Sequence, residues 1–138
     1  YMTAFENSKK SKGRVSIASW PGEDVQALLM ESKLLITDYS SVAMDFAMMQ
    51  KPLIYYQFDE DAYRKNHYAK GYFSYRKDGF GPVIKDEAYV INAVKDIVSK
   101  GFYNDPVYIN RSRYFFGKND RQSCRRVYEE ILKLTGDA

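Results

Sequence analysis

A strand–turn–helix–strand pattern within residues 34–56 constrains the fold of this chain more than any other feature. The run LLIT, residues 34–37, is short, apolar and bounded by polar residues, which is typical of a strand covered on both faces. From Val42 apolar residues recur at helical spacing, and Pro52 ends that helix before the next apolar run, residues 53–56. Because strands joined by so short a helical connection pair in parallel, the pattern predicts an α/β fold with a parallel sheet.

Further elements are predicted on both sides of this pattern. A strand is expected at residues 15–18, a helix at 23–32, a short helix within the charged stretch 58–67 and an edge strand at 68–75. Three more helices are expected at residues 86–99, 105–116 and 119–134, and the helices of residues 101–138 are expected to wrap the domain. The last helix is predicted to turn its apolar side chains inward, namely Cys124, Val127, Ile131 and Leu134.

Composition excludes several classes of function. The chain has 138 residues, which suits one domain, and a net charge of +3, which is too balanced for a nucleic-acid binder. A single cysteine, Cys124, permits no internal disulfide. The acidic residues 59–61 lie near His67, but their spacing matches no standard metal site. Because the sequence opens with Tyr1 rather than methionine, we interpret it as a fragment of a longer protein.

Two serines, Ser40 and Ser41, occupy the turn between the first strand and its helix. The start of a helix has unpaired amides and a partial positive charge, so it favours an anion, and two hydroxyls add donors. Ligands of open α/β sheets bind at the carboxyl ends of the strands. Two interpretations stay open from the residues alone, a phosphate or diphosphate cradle and an ordinary helix N-cap with a spare serine.

The run LLITDYSSVAMDFAMMQKPLIYYQFDEDAY, followed by KGYF and GFGPVI, resembles the CDP-glycerol glycerophosphotransferases of teichoic-acid synthesis. The likeness covers residues 15–100 and is strongest over 34–63. It implies a Rossmann-like parallel sheet flanked by helices, the C-terminal half of a GT-B-type transferase. Residues 1–138 would then form a single nucleotide-binding domain.

The resemblance also implies a reaction and its partners. The donor would be CDP-glycerol or a related CDP-polyol, and the polyol phosphate would pass to a lipid-linked polyol-phosphate acceptor without a cofactor or a metal. Ser40 and Ser41 are implied as diphosphate contacts, whereas Asp38 and Asp45 would orient the turn or bind donor hydroxyls. The general base is expected to be a histidine upstream of this chain, because His67 matches no motif with that role.

The full-length protein is expected at the cytoplasmic face of the cell membrane, as a peripheral protein. The isolated chain is expected to be inactive, since GT-B active sites lie between two domains. Two other functions stay open, a nucleotide-sugar-dependent GT-B glycosyltransferase domain and a non-catalytic domain that docks a partner or a membrane. The identity of the polyol, and the choice between primase and polymerase, also stay open.

Overall fold

The computed structural model describes residues 14–18, 22–66 and 71–136. The helices are α1 (Val25–Glu31), α2 (Val42–Met48), α3 (Glu60–Asn66), α4 (Glu87–Ser99), α5 (Pro106–Phe116) and α6 (Ser123–Thr135), and the strands are β1 (Leu35–Thr37), β2 (Leu53–Tyr56) and β3 (Val83–Ile84). The chain divides into two compact units, Tyr1–Ser32 and Lys33–Ala138. None of the helices in the described ranges has the length and apolar character needed to cross a bilayer.

In the first unit, the predicted helix is present and the predicted strand is absent. Helix α1 begins after Asp24, whose carboxylate accepts a hydrogen bond from the Gln26 amide at 2.9 Å. Residues 15–18 form no strand, so that prediction is wrong. A run of β-branched residues favours extended backbone, but a strand also needs a neighbouring backbone to pair with.

The second unit contains a parallel sheet in the order β1–β2–β3, which confirms the predicted α/β class. The pairing of β1 with β2 sets Leu35 opposite Leu53 and Thr37 opposite Tyr55. Helix α2 contacts both strands that it connects, and α4 contacts β2 and β3. The apolar run at 53–56 is therefore the central strand, which explains why its first three residues are buried.

The third strand was not predicted. Residues 71–75 form no strand, so the expected edge strand is wrong where the structure describes it, while residues 68–70 lie outside the described ranges. Instead β3 pairs with β2 through Tyr55, opposite Val83. Gly81 permits this approach, because a Cβ there would lie 2.0 Å from the Leu53 carbonyl oxygen.

The core lies between α2, β2 and the segment that enters β3. Phe46, Ile54 and Tyr55 are fully buried, and so is Phe80. Burial raises the pKa of Tyr55 to about 12. Helix α5 packs against α2, where the buried Ser112 hydroxyl donates to a backbone carbonyl of α2 at 2.8 Å.

Helix α6 differs from its prediction. It begins at Ser123, four residues later than the predicted start at residue 119, and contains no buried residue. The apolar side chains expected to point inward are exposed, namely Cys124, Val127, Ile131 and Leu134. The inward orientation is therefore wrong for the described chain, although the helical spacing that predicted α6 is correct.

Candidate functional site

The serine turn, residues 38–41, directly follows β1 at the carboxyl edge of the sheet. Because the three described strands are parallel, they end at this same edge, at Thr37, Tyr56 and Ile84. Open α/β sheets bind their ligands outside the carboxyl ends of the strands. The serine turn therefore lies where the fold favours a ligand site.

Asp38 and Ser40 use their side chains to shape this turn. Asp38 Oδ1 accepts a hydrogen bond from the Ser40 amide at 3.1 Å, which is a common local bond in turns. Ser40 Oγ accepts a longer bond from the Val42 amide at 3.4 Å. Ser40 thus caps the first turn of α2, and its hydroxyl hydrogen can still donate to a ligand.

Ser41 is the N-cap residue of α2 by position, but its side chain makes no capping bond. Its backbone is already helical, with φ −64° and ψ −17°, whereas a residue that caps through its side chain is usually extended. Ser41 is exposed, and so is Asp45 on the next turn of the same helix. Ordinary capping therefore does not account for the Ser41 hydroxyl.

Side chains from distant segments hold the backbone of the serine turn. Gln57, the first residue after β2, donates from Nε2 to the Asp38 carbonyl at 3.2 Å. Tyr75 donates from its hydroxyl to the Tyr39 carbonyl at 3.2 Å. Because Gln57 is 1% exposed and Tyr75 is half-buried, these bonds fix the two peptide groups that precede the serines.

Tyr39 has a packing role. Its ring stacks on the Tyr63 ring, with the ring centroids 3.6 Å apart and the planes 4° from parallel. Its hydroxyl donates to Asp59 Oδ1 at 3.3 Å. Burial, and then the negative charge of Asp59, raise the pKa of Tyr39, so the phenol stays protonated at neutral pH.

A charged cluster anchors α3 beside this edge. Glu60 lies 3.1 Å from Lys85 Nζ and 3.7 Å from the Arg76 guanidinium. The hydrogen bond from Lys85, together with the positive charges of Lys85 and Arg76, lowers the pKa of Glu60. The carboxylate is therefore ionised at neutral pH and ties α3 to the end of β3.

The structure brings three of the four predicted site residues onto one turn, and the fourth lies one helical turn away. These residues are Asp38, Ser40, Ser41 and Asp45, and all four are exposed. His67 lies outside the described residues. Across residues 14–18, 22–66 and 71–136, no group of three or more His, Cys, Asp or Glu side chains could hold a metal ion.

Two cavities of the second unit lie away from the serine turn. One, of about 390 Å³, lies between the start of β2 and helices α4 and α5. The other, of about 740 Å³, lies between Tyr72, Lys77 and helix α5. Neither has a residue of the serine turn in its lining.

The sequence reasoning missed Gln57 and Tyr75 as supports of this edge. Gln57 carries a usable signal, because a polar residue directly after a buried strand falls at the carboxyl edge. Tyr75 carries none, since its bond to the serine turn spans 36 positions of the chain.

Comparison with known proteins places these observations in a family. A family model described as CDP-Glycerol:Poly(glycerophosphate) glycerophosphotransferase matches residues 1–133. The chain is 35% identical over 109 residues to the minor teichoic acid biosynthesis protein GgaB of Bacillus subtilis (strain 168), covering 79% of this chain and 12% of that protein. It is 34% identical over 116 residues to a teichoic acid glycerol-phosphate transferase of Staphylococcus aureus (strain NCTC 8325 / PS 47), covering 80% of this chain and 28% of that protein.

A solved structure extends the likeness to the fold. The wall teichoic acid polymerase TagF matches with a TM-score of 0.61 at 22% sequence identity, covering 94% of this chain and 34% of that chain. At this identity the match shows the fold alone, which is of the GT-B type. This chain therefore spans a minor part of the length of each of these relatives.

Proposed function

The chain belongs to the CDP-Glycerol:Poly(glycerophosphate) glycerophosphotransferase family, and on that premise we propose that it binds the nucleotide donor of a polyol-phosphate transferase. The donor is CDP-glycerol or a related CDP-polyol. The observation that carries the proposal is the exposed Ser41 hydroxyl at the carboxyl edge of the sheet, which makes no capping bond. A serine present only to cap α2 would use that hydroxyl on the helix.

The serine turn offers the groups that a diphosphate requires. The hydroxyls of Ser40 and Ser41 donate to phosphate oxygens, and the amides at the start of α2 add a favourable dipole. Because α2 has only seven residues, we assign most of the binding to the hydroxyls. Asp38 orients the turn by accepting the hydrogen bond of the Ser40 amide. Asp45 accepts hydrogen bonds from the hydroxyl groups of the CDP-polyol.

The reaction that this site serves is a displacement at phosphorus. An acceptor hydroxyl attacks the phosphorus that bears the polyol, a new P–O bond forms, and the P–O bond to the CMP phosphate breaks. The proton of the acceptor hydroxyl passes to a general base, a histidine of the longer protein. Hydroxyl donors fixed beside the leaving phosphate stabilise its growing negative charge, which lowers the barrier.

The whole protein, of which this chain is one part, transfers the polyol phosphate to a lipid-linked acceptor in teichoic-acid or related cell-surface polymer synthesis. Membership of the family and the names of the relatives support this assignment. A lipid-linked acceptor supports the proposal that the full-length protein works at the cytoplasmic face of the cell membrane. The isolated chain binds donor without turnover, because a GT-B active site needs its second domain.

Isothermal titration calorimetry of the 138-residue chain tests the proposal. CDP-glycerol is titrated in parallel with UDP- and GDP-sugars, which are the donors of GT-B glycosyltransferases. The proposal predicts saturable binding of CDP-glycerol and much weaker binding of the sugar nucleotides. Preference for a sugar nucleotide would indicate a glycosyltransferase domain. Binding of anionic liposomes without any nucleotide would indicate a docking domain.

A further inference from the structure

Arg64 lies beside the serine turn but takes no part in any interaction assigned so far. It belongs to α3 and directly follows Tyr63, whose ring stacks on Tyr39 at 3.6 Å. Burial raises the pKa of both Tyr39 and Tyr75, and the positive charge of Arg64 opposes that rise. The hydroxyl of Tyr75 in turn bonds to the Tyr39 carbonyl. The guanidinium therefore lies within electrostatic range of the Tyr39 and Tyr75 side chains, the second of which holds the backbone that leads into Ser40.

The hydrogen bond from Lys85 is the main cause that lowers the pKa of Glu60, and the charge of Arg64 contributes, but Arg64 itself lies in no ion pair in the described part of the chain. Arg76 and Lys85 both lie within ion-pair distance of Glu60, whereas Arg64 has no ion pair with any described residue. Arg64 is half-buried, and its Nε is a buried atom without a hydrogen-bond partner among the described residues. A buried donor without a hydrogen-bond partner is costly to keep, so a purely structural arginine is expected to satisfy its Nε.

A second buried polar atom at the same edge also lacks a partner. It is Oε1 of Gln57, whose Nε2 already holds the Asp38 carbonyl. In the described ranges, the buried side-chain polar atoms without a partner are these two, and both belong to the segment that follows β2 in the sequence. Of the two, the Arg64 Nε is the hydrogen-bond donor and so suits a phosphate oxygen, whereas Gln57 Oε1 is an acceptor.

We infer that Arg64 is a further donor-binding residue, whose guanidinium pairs with a phosphate oxygen of the diphosphate held at the serine turn. This inference rests on the proposed function for the identity of the ligand. Guanidinium is suited to the role because it remains charged and presents several N–H donors in one plane. The serines then supply neutral donors, and Arg64 supplies the positive charge that the serine turn itself lacks.

The test compares Arg64→Ala and Arg64→Lys with Lys65→Ala, an exposed cation at the next position of α3. Each chain is titrated with CDP-glycerol, inorganic pyrophosphate and cytidine. Arg64→Ala should lower the affinity for CDP-glycerol and pyrophosphate about tenfold to a hundredfold, as expected for a lost bond between charged groups. Arg64→Lys should recover part of that loss. Lys65→Ala should stay within about twofold of wild type, as expected for an exposed charge.

The pattern across the three ligands separates the possible results. Cytidine carries no phosphate, so its binding should not depend on Arg64; an equal loss for cytidine and CDP-glycerol would overturn the inference in favour of a structural role. Unchanged binding of CDP-glycerol by Arg64→Ala would also overturn it while leaving the proposed function intact. If wild type binds pyrophosphate but not CDP-glycerol, and this binding depends on Arg64, the donor assignment is wrong but the phosphate contact of Arg64 stands.

Two further results complete the test. If wild type binds neither CDP-glycerol nor pyrophosphate, both proposals are wrong. Thermal denaturation shows whether each variant is folded. If Arg64→Ala is unfolded, the affinities of Arg64→Lys and Lys65→Ala for the phosphate ligands are compared instead. A lysine variant with the affinity of wild type for both phosphate ligands would then overturn the assignment to a planar guanidinium contact.

Discussion

Replacing Ser41 by alanine should lower donor affinity while leaving the fold stable. The Ser41 hydroxyl makes no capping bond, so its removal should change the free energy of unfolding by less than about 0.5 kcal/mol. A hydrogen bond to a charged phosphate oxygen contributes about 1.5–3 kcal/mol. Since about 1.4 kcal/mol is a tenfold change, the dissociation constant for CDP-glycerol should rise about tenfold to a hundredfold.

Ser40→Ala should behave differently, which makes it an informative companion. Its Oγ accepts the Val42 amide at 3.4 Å, so the substitution removes a long capping bond and should also destabilise the chain by about 0.5–1 kcal/mol. Calorimetry with CDP-glycerol and urea denaturation are measured on both variants. Ser99→Ala serves as the control, because Ser99 is an exposed serine on the last turn of α4.

One result would refute this reasoning about Ser41. If Ser41→Ala loses more than about 1 kcal/mol of stability but binds CDP-glycerol as wild type does, the serine is an ordinary cap. The Ser99→Ala control should leave donor affinity unchanged, although it removes the 2.8 Å hydrogen bond from the Ser99 hydroxyl to the Asp96 carbonyl. A drop in donor affinity for Ser99→Ala as large as that for Ser41→Ala would mean that the assay does not report on the serine turn.

Three further predictions concern the scaffold of the site. Gly81→Ala should destabilise the second unit by about 3 kcal/mol, since the added Cβ would lie 2.0 Å from a carbonyl oxygen of β2. Gly71→Ala is the matched control and should be nearly neutral, because a Cβ there would have no atom within 4 Å. Ser112→Ala should cost about 1 kcal/mol through its lost 2.8 Å bond to α2. Glu60→Gln should cost at most about 1 kcal/mol at pH 7, because solvent screens its pair with Lys85.

The Glu60 prediction has a defined pH dependence. Folding lowers the pKa of this carboxyl below 4.5, so its ion pair contributes stability above that pH and loses it as the pH falls through the folded-state pKa. Urea denaturation at pH 7 and pH 3 measures all three predictions. If the free energies of unfolding of Glu60→Gln and wild type differed more at pH 3 than at pH 7, the predicted direction of the pH dependence would be wrong. Equal stabilities of Gly81→Ala and Gly71→Ala would contradict the close approach of β3 to β2.

The sequence predicts the central unit of the fold because its signals there are local. The apolar run of β1, the helical spacing from Val42 and the helix-ending Pro52 all act within a few residues. These signals give the elements β1, α2 and β2 and their parallel order. Helices α1, α4 and α5 begin within two residues of their predicted starts, and the structure shows an aspartate before each of them, Asp24, Asp86 and Asp105, that accepts a bond from the amide two residues later.

The errors arise where pairing or burial depends on distant parts of the chain. Strand β3 has two residues, and it exists because Gly81 lets it approach β2, which no hydrophobic pattern displays. Residues 15–18 have strand propensity but form no strand. Helix α6 has an apolar stripe that favours burial, yet Leu134 is 82% exposed, so periodicity alone does not identify what a helix packs against.

The position of the serine turn was predictable, but its hydrogen bonds were not. The residues alone place a hydroxyl-rich turn at the carboxyl end of a strand, and the structure agrees. They do not show that the Ser40 hydroxyl makes a capping bond and the Ser41 hydroxyl makes none, because a serine at either position suits an N-cap. Nor do they show that Gln57 and Tyr75 hold the turn, since those bonds join segments far apart in sequence.

The most direct test of the account is to titrate CDP-glycerol into isotopically labelled chain and follow each backbone amide by nuclear magnetic resonance. If the donor diphosphate binds at the serine turn, the amides of Ser40, Ser41 and Val42 should shift most, and they should saturate together with the calorimetric binding curve. Saturable binding with the largest shifts at the cavity between α4 and α5, and none at these three amides, would contradict the account.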